Sequence, residues 1–295
     1  MKLTAKREEP SLAFGGQAVI EGVMIRSKKR MVICVRQPND EILTKTEEIN
    51  SMSERYRILG LPFLRGIIAL FETLYLGIKG LYFSANVTLE EGEKLTAKEI
   101  ALSVVLAFAL VIFLFSILPF FLANLLGLGG VVFNVVESVV RLGILLIYLA
   151  SISLVGEFRK VFQYHGAEHT AINAYEAGVE LNVENAKKYS RFHPRCGTCF
   201  LLIVTLISIL FFSIMPNLGF YMNLAYRVLL IPVIAAVSYE VLKLSDRYRD
   251  SKVMKVLTAP GLGLQYLTTK KPDEKMIEVA LKAVEETSRL MQTSQ

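Results

Sequence analysis

Two short segments concentrate the residues whose types and spacing suit catalysis or metal binding. All three histidines of the chain lie between 165 and 193. Two belong to His165-Gly166-Ala167-Glu168-His169, an H-x-x-E-H pattern. On a helix, positions i and i+4 share a face, so His165 and His169 can hold one metal ion. Glu168 sits beside that stripe, where a carboxylate serves as general base in metal-assisted hydrolysis. The stripe continues through Ile172 to Glu176, an alternative ligand or a support for one, and Gly178 suits the end of the helix. The third histidine opens His193-Pro194-Arg195-Cys196-Gly197-Thr198-Cys199. Imidazole and thiolate are the usual zinc ligands, and C-x-x-C spacing lets one metal or one disulfide join both sulfurs. A reducing cytosol favours thiols over a disulfide. The pattern predicts a site for a divalent metal, zinc first, made from His165, His169 and either His193 or Cys196. Glu168 is its catalytic base, and Cys199 is an alternative ligand. Glu21 and Arg26 are further candidates for reaching a substrate, and Cys34 reads as a small core residue.

These segments must be positioned by a chain that is only partly water-compatible. Of 295 residues, 53% are hydrophobic and 20% charged, with 33 Lys+Arg against 27 Asp+Glu. Four apolar stretches, 102–126, 131–155, 199–215 and 224–242, hold 86 residues and only four charges. About 20 apolar residues cross a bilayer, so these read as four membrane spans forming two hairpins. The 15 Lys/Arg of residues 1–101, the 6 of 156–198 and the 10 of 243–295 all fall outside the spans, and the turns 127–130 and 216–223 have none. The positive-inside rule then places both termini and the central loop in the cytosol. On that topology Glu137, Arg141 and Arg227 fall in the outer half of the membrane. They read as an intramembrane ion pair holding the second span to the fourth. Pro232 can kink the fourth span.

The remaining residues predict a small α+β portion. Gln17–Ile25, Met31–Arg36 and Glu41–Thr46 read as a β-meander over 17–47, with Gln37-Pro38-Asn39-Asp40 as a turn. Gly15, Gly16 and Gly22 permit close backbone approach or positive φ. Residues 58–83 are apolar except for Arg65, Glu72 and Lys79, spaced by seven, which suggests an amphipathic helix lying on the membrane surface or packed under the bundle. The tail shows a turn at Ala259-Pro260-Gly261 and a helix over about 272–291, with Met276, Ile277, Ala280, Leu281 and Val284 on its apolar face. Three Cys and an opening Met1–Pro10 without an apolar core argue against a secreted disulfide scaffold. The basic excess follows from topology and anionic lipid, not from nucleic acid.

Four motifs in order, Gly15–Arg26, Tyr164–His169, His193–Thr198 and Ala259–Thr269, resemble the YqhQ-like family of bacterial integral membrane proteins. Members of that family are sometimes described as predicted metal-dependent enzymes, and on this chain that description points to His165, Glu168, His169, His193 and Cys196. Cys199 stands where similar proteins would carry Ser or another small residue, which makes Cys196 the better ligand of the two sulfurs. The expectation is a mainly helical, four-span protein of the bacterial cell membrane. It would be a metal-dependent hydrolytic enzyme acting at the cytosolic face on a membrane-associated peptide or a lipid headgroup. The rival is a non-enzymatic scaffold or assembly factor whose His/Cys cluster is structural. A homo-oligomer is compatible with either.

Overall fold

The computed structural model describes residues 14–27, 29–89, 94–215, 219–248 and 251–292; the opening Met1–Pro10 segment, Lys28 and residues 216–218 of the second turn lie outside these. The chain is mainly helical, with one antiparallel sheet in the order β1-β2-β3-β4. The strands are Gly15–Val19, Gly22–Arg26, Arg30–Arg36 and Ile42–Glu48. The stretch 17–25, expected as one strand, is instead a hairpin. It breaks at Ile20-Glu21, where Glu21 takes φ 49°, and Val19 pairs with Gly22. Folding back lets the consecutive apolar residues of β2 and β3 be covered on both faces, an arrangement that a strand solvated on one side does not need.

The helices follow in chain order. A short α1 (Met52–Arg55) leads to α2 (Leu64–Thr88). Next come α3 (Ala97–Ile112), α4 (Leu118–Leu125) and α5 (Gly130–Ile152). Then come α6 (Gly156–Glu176), a short α7 (Val183–Ala186) and α8 (Gly197–Ser213). The chain finishes with α9 (Phe220–Leu229), α10 (Ile231–Arg247), α11 (Lys252–Thr268) and α12 (Glu274–Gln292).

The sheet is the middle of three layers. Val23, Ile25, Val32 and Cys34 point to one face and pack with Tyr164, Ala167, Ala171 of α6 and Ile277, Ala280, Val284 of α12. Val19, Met24, Met31, Ile33 and Val35 point to the other face and pack on Leu76 of α2. Sequence-distant pieces, the N-terminal strands, the 156–198 segment and the tail, therefore share one core. The first half of the 156–198 segment is helical, as the H-x-x-E-H reading expects, and ends at Glu176, just before Gly178. It is the 21-residue α6, buried all round its middle and packed on β1, β2, α7 and α12.

The charged stripe of α2 is half-buried and paired with other elements of the chain. Arg65 pairs with Glu240 of α10, Glu72 accepts from the Ser51 hydroxyl at 3.0 Å and from the Met52 amide at 2.6 Å, and Lys79 pairs with Glu47 of β4.

Three helical runs are long and apolar enough to cross a membrane: α2, the continuous α3–α4 run Ala97–Leu125, and α5. The bent pair α9–α10 makes a fourth if taken as one span. Its 43° bend falls just before Pro232, which has no N–H to give to the preceding turn. Pro119 leaves a different mark, a π-helical turn over Phe113–Ile117 that absorbs the lost hydrogen bond without ending the helix. The third expected span, 199–215, corresponds to α8. At 17 residues it is about 25 Å long, a little short of the roughly 30 Å hydrocarbon core. The turn expected at Ala259-Pro260-Gly261 is absent, and Pro260 lies inside α11. Packing overrides the local rule here, because α11 lies along α8 with Gly261 against Cys199 and Leu264 against Leu145 and Leu149.

Candidate metal centre

The i, i+4 spacing in α6 places the His165 and His169 rings with centroids 4.4 Å apart. Cys196 reaches them from the far side. It is the N-cap of α8, which turns its Sγ inward while the backbone leaves the helix. Potential donor atoms of His165, His169 and Cys196 lie within 4.8 Å of one another. That spacing suits three vertices of a tetrahedral site.

The hydrogen bonds around the rings set their tautomers. His165 Nδ1 lies 2.8 Å from the Thr268 carbonyl of α11, and His169 Nδ1 lies 2.7 Å from the Arg191 carbonyl. A carbonyl only accepts, so each Nδ1 carries a proton, and it is the Nε2 of the neutral ring that offers a lone pair to a ligand. His165 Nε2 is 3.1 Å from Cys196 Sγ. Thr198 donates to that sulfur from its hydroxyl at 3.2 Å and its amide at 3.4 Å. Burial, more than the proximity of His165, pushes the His169 pKa well down, the direction that favours the neutral ring a ligand needs. Burial also raises the Cys196 thiol, and the Thr198 hydrogen bonds oppose it.

Glu168 points beside this group and is only 4% exposed. Its Oε2 is buried with no hydrogen-bond partner. Burial raises the carboxyl to about 8, with His165 opposing and Cys196 adding to the rise. Gly16 of β1 makes room for this carboxylate, since a Cβ at that position would collide with it. A buried polar atom without a partner beside three convergent donors fits a site meant to hold a cation and a polar substrate atom.

The other predicted residues surround the centre without joining it. The His193 ring lies 5.8 Å from the His169 ring, and His193 Nε2 is 3.7 Å from Glu176 Oε2. Glu176 also pairs with Arg195, so it supports the 190s segment and does not reach the donors. Cys199 is buried on Gly261, and the cysteines are free thiols. Glu21 accepts from Lys160 at 2.9 Å and from the Tyr164 hydroxyl at 3.3 Å. Arg26 donates to Thr73 at 3.1 Å. Cys34 is a core residue bonded to Thr44.

Two supports had no clear sequence signal. Gln265 is fully buried, and its amide grips His193 at both the N–H (2.9 Å) and the carbonyl (2.8 Å). Its only trace in the sequence is a lone amide within the apolar run of α11. Asn173 donates to the Ser190 and Phe192 carbonyls, fixing the strand of chain that offers the Arg191 carbonyl.

Gly166 locks α6 to the segment after α11. A Cβ there would strike the Lys270 carbonyl oxygen, a backbone atom that cannot turn aside. Gly166→Ala is therefore expected to destabilise the protein by about 1–3 kcal/mol and to loosen the Thr268 contact to His165. A thermal-shift series against Gly143→Ala, where a Cβ meets nothing within 4 Å, checks this. Equal melting of the two variants would refute it.

Residues 61–290 match the family described as "Protein of unknown function (DUF1385)". One relative is the "Uncharacterized protein YqhQ" of Bacillus subtilis (strain 168), 36% identical over 298 residues, covering 94% of this chain and 93% of that protein. No solved structure matches the chain.

Proposed function

The chain belongs to the DUF1385 family, and from that premise we propose that it is a metal-dependent hydrolytic enzyme of the bacterial cell membrane, working at the cytosolic face. One observation carries the reading: both α6 histidines have Nδ1 committed to backbone carbonyls, leaving two Nε2 lone pairs and Cys196 Sγ convergent. Hydrogen-bonded outer nitrogens of this kind are the usual companions of metal-binding imidazoles. His165, His169 and Cys196 would hold the ion, zinc by donor type. A bound divalent ion supplies Lewis acidity toward a substrate carbonyl or phosphoryl oxygen. The chain itself supplies a dry site and a proton carrier, Glu168 Oε2.

The substrate in this reading is a membrane-associated peptide or a lipid headgroup. The proposed topology has four spans, formed by α3–α4, α5, α8 and α9–α10, with both termini cytosolic. The distribution of Lys and Arg supports it, as does the packing of the strands, α6 and α12 in one core. We place α2 at the membrane surface, because its Leu76, Gly77 and Gly80 lie against the sheet. The short α8 is lined by α5, α10 and α11, so protein covers much of its length.

Burial favours a second reading. His169 is 1% and Cys196 7% exposed, as in structural sites that only fasten a fold. Glu168→Gln separates the two. It keeps the shape and removes the proton-carrying function. We expect metal content and folding unchanged and complementation of a deletion strain lost. Full complementation by a metal-replete Glu168→Gln protein would leave the structural-site reading in possession.

A further inference from the structure

At the opposite end of the bundle three buried charges do not balance. Glu137 on α5 accepts from Arg227 on α9 at 2.6 and 3.0 Å and from Arg141 at 2.6 Å. The three side chains are at most 8% exposed. Residues 102–155 and 199–239 contain no other Asp, Glu, Lys or Arg. One carboxylate therefore serves two guanidiniums, and this part of the chain has one positive charge left over. The rings of Phe120 and Phe212, 4.5 and 5.0 Å from the Arg227 guanidinium, soften that charge but do not neutralise it. Arg141 donates to Ser208 at 2.9 Å, yet its Nε is buried without a partner.

Beside Arg227 is a cavity of about 200 Å³, reaching from the Gly129-Gly130 turn to Arg227 and lined also by Asn134 and Ser213. Asn134 is 9% exposed, and its side-chain amide makes no hydrogen bond among the described residues. Arg227 already gives Nε and Nη2 to Glu137 and Nη1 to the Asn223 carbonyl at 3.2 Å, so the extra positive charge belongs to the Arg141–Arg227 pair as a whole. That charge, with an unspent amide beside Arg227 in one cavity in apolar surroundings, calls for an anion, because an uncompensated charge there is costly.

We propose that this cavity binds a singly charged oxyanion: the phosphodiester head of an anionic phospholipid, or a soluble phosphate of the same chemistry. Arg227 supplies the charge and Asn134 a hydrogen-bond donor. The oxyanion brings the local charge to zero, and the surrounding rings exclude water. This site shares no residue with the His–Cys centre and stands whether or not that centre binds metal.

The test uses the full-length protein in zwitterionic detergent, studied by native mass spectrometry with phosphatidylglycerol or phosphatidylcholine added. Wild type is expected to retain one phosphatidylglycerol with about tenfold preference. Asn134→Leu and Ser213→Leu, which fill the cavity but keep all three charges, are expected to lose the preference. Inorganic phosphate, added without lipid, separates the sources. If it raises the melting temperature of wild type but not of the filled variants, and phosphatidylglycerol is not retained, the oxyanion site holds and its ligand is soluble. Equal retention of both lipids with no effect of phosphate overturns the proposal. So does undiminished preference in a folded filled variant. If Asn134→Leu fails to fold, Ser213→Leu decides.

Discussion

Elemental mass spectrometry of the detergent-purified protein is expected to find close to one equivalent of zinc in wild type and less than about a tenth of that in His165→Ala/His169→Ala. The size of the effect follows from the geometry. The double change removes two of the three convergent donors, and loss of even a supporting hydrogen bond costs such sites about 10–100-fold in affinity. Cys196 and His193 are separated by the same preparation. Cobalt in place of zinc should show thiolate-to-metal absorption that Cys196→Ser abolishes and His193→Ala preserves, since His193 is turned toward Glu176. Full metal in a folded double variant would sink the site. Wild type that stays empty after reconstitution would do so too, and the histidines would then serve as hydrogen-bonded core.

The part of this centre that was legible in the sequence is the part set by local geometry. His165 and His169 meet because helical periodicity brings i and i+4 together, and nothing distant is needed to predict it. The choice between His193 and Cys196 could not be read from spacing. It depends on Cys196 adopting the N-cap conformation of α8 and on Glu176 and Gln265 holding His193 away. The carbonyls of Arg191 and Thr268, which set the tautomers, are backbone atoms and leave no residue-type signal at all.

In the fold, the apolar runs gave the bundle, and the charge distribution suggested its sidedness. The errors have a common origin in tertiary override of local rules. Pro260 reads as a turn but is carried within α11 by packing on α8. Ile20-Glu21 carries no usual hairpin-turn residue at either position, yet it closes the β1–β2 hairpin because both faces of β2 find partners. The spacing of Arg65, Glu72 and Lys79 marked a narrow charged stripe on α2, but not its partners, which lie on α10, at the start of α1 and on β4.

Glu137→Ala is expected to be the most destabilising single change in the bundle, by about 3–5 kcal/mol or more. The cost comes less from the lost attraction than from what is left behind. Arg141 and Arg227 would both remain buried, sharing the Phe212 ring at 4.8 and 5.0 Å, with no carboxylate between them. Glu137→Gln keeps an acceptor oxygen but not the charge, so it should fall between wild type and Glu137→Ala. Replacing all three residues together, as Glu137→Leu/Arg141→Met/Arg227→Met, should recover most of the loss, because a well-packed apolar set of similar volume avoids the desolvation of the ions. Denaturation midpoints in sodium dodecyl sulfate titrations read this order directly. If the triple variant is no more stable than Glu137→Ala, the charges matter for their own attraction and not for each other's burial. If Glu137→Ala melts with wild type, Glu137 does not clamp α5 to α9, and those helices are held by the Phe120 contacts to Phe133 and Phe220.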